Sequence, residues 1–141
     1  MGLQMDVAAL GAFLEAEFPQ VSSTYTIDRL AEREITVRLG VDDRHLRPGG
    51  TVSGPSMFAL ADVSAYLAIL AMIGPRALAV TTNCSIDFMR KPAARTDLLA
   101  DCRILKLGRV LAVTDVLIRS EGMTEAVARA TLTYSIPPER G

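Results

Sequence analysis

The sequence predicts an α+β domain in which a curved antiparallel sheet wraps around one long buried central helix, with a short N-terminal helix in front. Three observations lead there. Residues 55–73 read as a helix that is apolar on nearly every side, with Met57, Phe58, Leu60, Val63, Tyr66, Leu67, Ile69, Leu70 and Met72 spread around it. A helix without a polar face belongs in a core or in a membrane. After Gly74-Pro75 the apolar residues fall into alternation, the period of half-buried strands. The turns between these later strands are short, so neighbours run antiparallel and leave one face to be covered. The central helix is the only long apolar element available to cover it.

Each element has a local cause. Over residues 6–18, Asp6 stands as N-cap, Leu10, Phe13, Leu14 and Phe18 recur at helical spacing, and Pro19 ends the helix. Residues 23–30 and 33–41 are predicted strands; in the second, Ile35, Val37, Leu39 and Val41 alternate with Thr36, Arg38 and Gly40. Asp42, Asp43 and Arg44 open the loop to the central helix. Strands over 76–90, 97–107, 110–119 and 126–136 are expected to follow as a meander. Pro92 stops the first of them, because proline cannot donate to a ladder. Leu98, Ala100, Cys102 and Ile104 share a face opposite Asp101 and Arg103, and Leu107-Gly108-Arg109 forms a hairpin turn. Ala128, Ala130, Leu132 and Tyr134 oppose Val127, Arg129, Thr131 and Thr133. The tail, Pro137 to Gly141, is expected to fray. No repeat, linker or low-complexity tract divides the chain, so residues 1–141 form a single domain.

Composition narrows the partners. Half the residues are hydrophobic, and burying so much apolar surface in so small a domain calls for a second subunit. With 15 basic against 16 acidic residues there is no electrostatic footprint for nucleic acid or for a membrane surface. Cys84 and Cys102 lack a CxxC partner and read as reduced core cysteines; a single histidine in the chain argues against a metal site. The N-terminus carries acidic residues and no basic run, unlike a secretory signal. Asp62 at the centre of 55–73 argues against a membrane span, since a central carboxylate costs roughly 2.5–3.5 kcal/mol on insertion. The expected location is the cytoplasm.

Between Pro48 and Pro75 the only charged residue is Asp62. A lone carboxylate among apolar neighbours is a functional candidate, since burial opposes its ionisation. The helix mouth carries a second signal. Gly54 precedes Pro55, and the free N–H groups of a helix start favour negative charge in front of them.

The run HLRPGGTVSGPSMFALAD (residues 45–62) resembles the signature of hotdog-fold acyl-CoA thioesterases of the phenylacetate-degradation, PaaI-like type, and TTNCSIDFMRKPA (81–93) resembles the strand that follows their helix. The similarity covers roughly residues 30–136. The family loop, Asn-x-x-Gly-x-x-His-Gly-Gly, precedes a helix with an acid two turns in. The resemblance implies a hotdog fold and acyl-CoA hydrolysis, with coenzyme A as part of the substrate and no other cofactor. It implies Asp62 as general base or nucleophile, the Gly54 amide as oxyanion donor, and Thr81 as the water-placing hydroxyl, with Thr82 as the register alternative. It also implies a site shared between the subunits of a homodimer, two of which would pair as a tetramer. The chain departs from the motif where Arg47 replaces the Asn, Ser53 the His and Pro55 the second Gly; Gly50 keeps the loop glycine. Arg90, Lys91 and Arg95 are candidates for the coenzyme's phosphates. Phe58, Tyr66 and Met57 are candidates for the wall of an apolar tunnel.

Two other functions are weighed against this one. A hotdog dehydratase would pair His45 with Asp62, although the His-Phe-Pro pattern of such loops is absent. A non-catalytic acyl-CoA-binding module would keep the fold with Arg47 and Pro55 as marks of a decayed site.

Overall fold

The computed structural model describes residues 2–138. Of the tail expected to fray, residues 139–141 lie outside the described residues.

Helix α1 spans Val7–Glu17; the Asp6 carboxylate accepts the Ala9 N–H at 2.8 Å, the capping role expected of it. Strands β1 (Tyr25–Ala31) and β2 (Glu34–Leu39) form the first hairpin. A short 3₁₀ turn, Asp43–His45, leads through the glycine loop to helix α2, Gly54–Ile73. Four strands complete the chain: β3 (Val80–Phe88), β4 (Leu98–Leu107), β5 (Leu111–Ser120) and β6 (Ala126–Ser135).

The six strands form one antiparallel sheet in the order β1-β2-β4-β5-β6-β3, and α2 packs across its concave face, chiefly on β4, β2 and β5. The expected face assignments hold. Leu98, Ala100, Cys102 and Ile104 on β4 and Ala128, Ala130, Leu132 and Tyr134 on β6 all point into the core. Leu60, Leu67, Ile69, Leu70 and Met72 of α2 are at most 1% exposed. Burying each such side chain is worth about 1.5–3 kcal/mol, so α2 and the sheet hold each other together. By length and composition α2 could cross a membrane, but 67% of its most apolar window is buried inside this domain. It is a core helix.

Two expectations need correction. The last four strands are not one meander: β4, β5 and β6 are, but β3 crosses the domain to pair with β6, and β4 pairs with β2 instead. Alternation reports which face of a strand is buried and says nothing about its neighbour. Residues 76–79 are a turn rather than strand, with the Ala79 N–H donating to the Arg76 carbonyl at 3.1 Å after Gly74 leaves the helix at φ 93°. The strand therefore starts at Val80 and ends at Phe88. Of the two cysteines, Cys102 is in the core, where burial pushes its thiol up to about 12, whereas Cys84 is only half-buried on β3.

Candidate active site

Asp62 lies two turns into α2, half-buried, in the wall of a cavity of about 280 Å³. Two hydroxyls meet its carboxylate. Thr81, from the start of β3, donates to Oδ1 at 2.6 Å, and Tyr134, from the end of β6, donates to the same oxygen at 2.6 Å. The register explains the convergence: Thr81 and Tyr134 are direct partners in the β3–β6 ladder, so one rung presents both groups to the helix. Oδ2 has no hydrogen-bond partner among the described residues. One oxygen is thus held and the other has no donor among the described residues.

Three neighbours feel this carboxylate. Burial first, then the negative charge of Asp62 and its hydrogen bond, push the Tyr134 hydroxyl well above the usual phenol range. Tyr134 is therefore a fixed donor and no base. Burial and then the Asp62 charge also raise Tyr25 and Cys84. A thiol raised in this way is a poor nucleophile at neutral pH.

At the mouth of α2, Ser53 is the N-cap: its hydroxyl accepts the Ser56 N–H at 3.3 Å and donates to the Ser56 hydroxyl at 2.9 Å. Pro55 stands in the first turn and is exposed. The Gly54 N–H has no hydrogen-bond partner among the described residues, as befits a helix start. Gly49 and Gly50 adopt positive φ, 102° and 84°, but Gly54 does not, so backbone conformation does not demand glycine there. Nor does packing: a Cβ at residue 54 would stand 3.4 Å from the Phe88 ring, an ordinary contact. Along its own helix, Gly54 is eight residues from Asp62, roughly 12 Å at 1.5 Å per residue.

The remaining candidates divide. Tyr66 lines the cavity and donates to the Ala77 carbonyl at 3.2 Å. Thr82 turns the other way and donates to the Thr133 carbonyl at 3.3 Å, so the register favours Thr81. Phe58 is 39% exposed and does not line the cavity, whereas Met57 is buried in the core. Arg47, Arg90, Lys91 and Arg95 are all exposed, and none lines it either. Arg90 donates to the Ala126 carbonyl, and Arg95 pairs with Asp43 at 3.2 Å. The Gly50 carbonyl accepts the Arg95 N–H at 3.3 Å, closing the loop. His45 is held in its turn: Nδ1 accepts the Asp42 N–H at 3.0 Å. A nitrogen occupied by a main-chain donor cannot also take a substrate proton, which weakens the dehydratase pairing.

Tyr134 was not among the sequence candidates. The signal for it was present in the pattern: on the inward face of β6 it is the one polar group after Ala128, Ala130 and Leu132, and a buried Tyr hydroxyl needs a partner.

Comparison with known proteins identifies the group to which this architecture belongs. A sequence profile of the thioesterase superfamily matches residues 49–127, more than half of the chain. The crystal structure of a provisionally named thioesterase from Silicibacter sp. TM1040 is 63% identical and superposes with a TM-score of 0.92, covering 98% of this chain and 96% of that one. The phenylacetic acid degradation protein PaaI of Thermus thermophilus, in a mutant form, is 30% identical with a TM-score of 0.72, over 84% and 99% of the two chains. A hypothetical thioesterase of Streptococcus pneumoniae TIGR4, solved with coenzyme A, shares the fold at 22% identity and a TM-score of 0.76, over 94% and 100%. By profile, identity and architecture together, the chain belongs to the thioesterase superfamily, among its hotdog-fold, PaaI-like members.

Proposed function

We propose that this thioester hydrolase cleaves acyl-CoA to a free acid and CoA, with Asp62 as the reactive carboxylate, at a site completed by a second copy of the chain. The observation that carries the proposal is the Asp62 carboxylate, with two hydroxyls on Oδ1 and Oδ2 left for chemistry. As general base, Oδ2 takes a proton from water while the hydroxide oxygen attacks the acyl carbon. Such a base is worth about 10²–10⁴-fold in rate. As nucleophile, Oδ2 attacks the same carbon to give an anhydride that water then opens. On either route the carbonyl oxygen becomes negative and needs a donor, and the CoA thiolate leaves. The Gly54 N–H, unpaired at a helix start, is the donor we assign, worth about 3–4 kcal/mol at a preorganised site.

The distance along α2 requires that donor to come from another protomer. Strand β3 is the place for it. It ends the sheet, carries Val80 at 54% and Phe88 at 52% exposure, and begins at Thr81's side of the carboxylate. An edge of this kind recruits another chain. Arg47, Arg90 and Lys91 are the cations we assign to the phosphates of coenzyme A, a ligand that the same fold holds in the Streptococcus pneumoniae protein. Two unpaired cysteines suit a reducing cytoplasm.

Thiol release from a panel of acyl-CoAs tests the proposal. Asp62→Ala is expected to reduce turnover at least a hundredfold and to leave the assembly intact by sedimentation. Equal rates in the two proteins would remove Asp62 from the reaction, and no thiol release from either would remove the acyl-CoA assignment. Loss of activity toward a 3-hydroxyacyl thioester in His45→Ala but not Asp62→Ala would establish the dehydratase instead.

A further inference from the structure

The cavity beside Asp62 has a wall that the chemistry above does not use. It runs from the carboxylate and Thr81 toward α1, where Leu14, Phe18 and Val21 close it. Val63 and Tyr66 of α2 and Val80 of β3 also line the cavity. Aromatic rings tie these linings together. Phe18 meets the Tyr66 ring edge-on with centroids 5.7 Å apart, and the Tyr66 ring lies 6.1 Å from that of Tyr134, whose hydroxyl holds Asp62. The α1 wall is anchored rather than loosely laid. The Gln4 and Met5 N–H groups both donate to the Ala71 carbonyl of α2, and the turn after α1 is closed by Val21 and Ser22 N–H groups donating to the Phe18 carbonyl at 3.1 Å. Its charge is as telling as its shape. Among the described residues of one protomer, Asp62 is the only charged side chain lining the cavity.

We infer that this α1-walled cavity is the acyl chamber, and that it selects neutral, apolar acyl groups of short to medium length over acyl groups that end in a carboxylate. The inference rests on the thioesterase assignment. With Asp62 at one end of the chamber, an apolar acyl group running from the scissile carbonyl extends toward Tyr66 and Phe18, and the pantetheine arm leaves by the opposite side. At about 280 Å³ the chamber lies just below the usual range of small-molecule sites, roughly 300–1,000 Å³, so it holds an acyl group but not the coenzyme. Each methylene buried there raises the specificity constant up to about fourfold. A terminal carboxylate would enter an apolar space with no cation and face the like charge of Asp62, which low-dielectric surroundings make costly. Helix α1 is thus a specificity element, and the sequence 14–21 sets the depth of the chamber.

The test compares kcat/KM ratios on one preparation, because a ratio between two substrates does not depend on how much of the protein is folded. For the unaltered protein, hexanoyl-CoA is expected to exceed acetyl-CoA at least tenfold, and succinyl-CoA to fall below butanoyl-CoA at least tenfold. Val21→Trp, which fills the chamber from the α1 side, should lower the hexanoyl-to-acetyl ratio threefold or more. If that variant precipitates, Ala77→Trp, from the turn before β3 that lines the same cavity, carries the same expectation. Turnover with either substrate ratio of the unaltered protein under tenfold, or with a variant ratio shifted less than threefold, overturns the acyl chamber and leaves the thioesterase standing. No thiol release from any acyl-CoA overturns both.

Discussion

The two edges of the sheet are finished in opposite ways. On β1, charge covers the edge. Arg29 pairs with Glu34 at 3.1 Å, and Arg38 on the neighbouring strand reaches Asp28 at 2.9 Å, Asp97 at 3.1 Å and Glu121 at 2.6 Å. On β3, exposed Val80 and Phe88 flank Thr82, Asn83 and Ser85, and the one charged side chain, Asp87, stands 3.7 Å from Arg129. Proteins guard unpaired strand edges with charge when the edge must stay single. The unguarded edge is also the one whose first residues carry Thr81 to Asp62. The difference teaches that only one edge is guarded by charge: β1 ends the sheet against water, and β3 ends it beside Asp62, where the proposed second copy belongs.

That contrast can be broken by giving β3 the finish of β1. Asn83→Lys with Ser85→Lys should dissociate the assembly at micromolar protein and lower turnover about a hundredfold, since a donor supplied in trans is lost with the partner. Thr26→Lys on β1 should leave both unchanged within twofold. Sedimentation velocity and thiol release read the two variants together, and an unaltered assembly in the β3 variant would refute the role given to that edge.

A smaller effect sharpens the comparison at the rung that joins β3 to β6. Tyr134→Phe removes one of two donors to the Asp62 carboxylate, and a hydrogen bond to a charged group is worth about 1.5–3 kcal/mol. The expected result is a fall in kcat of about ten- to a hundredfold with KM within twofold. A variant that is less stable but keeps kcat would show Tyr134 to be structural only.

The smallest effect concerns alkaline stability. Burial, with a lesser contribution from Glu17, pushes the Tyr66 hydroxyl up to about 12, and burial raises Tyr134 as well. A phenol whose folded value lies above its unfolded value of roughly 10 binds its proton more tightly in the native state. The stability this confers is complete below pH 10 and is lost as pH rises toward 12. Urea midpoints at pH 9, 10 and 11 should therefore decline, and Tyr66→Phe should flatten the decline. A midpoint independent of pH over that window would contradict it.

Much of this was legible in the chain itself. The apolar circumference of 55–73 foretold a buried helix, and the alternation over 98–104 and 128–134 foretold which side chains face it, because both depend on local periodicity alone. Asp62 stood out for the same local reason, as a single charge in a long apolar stretch. The cavity wall supplied by Leu14, Phe18 and Val21 left no such trace, since Leu14 and Phe18 read simply as the apolar stripe of a first helix and Val21 lies beyond its end. The cations left no trace of either kind: Arg47, Arg90, Lys91 and Arg95 are exposed and outside the Asp62 cavity, and no local period says whether a surface cation meets a phosphate.

The sequence by itself determined the elements, their inward faces and the one carboxylate among apolar neighbours, because each follows from the spacing of residues a few positions apart. Only the tertiary structure decided that β3 leaves its neighbour in sequence to pair with β6, and that Thr81 rather than Thr82 faces the helix. It alone brought Tyr134 to a carboxylate 72 positions earlier in the chain. The physical reason is that strand partners are chosen by the whole sheet closing around α2, a long-range balance of buried area that no local period records.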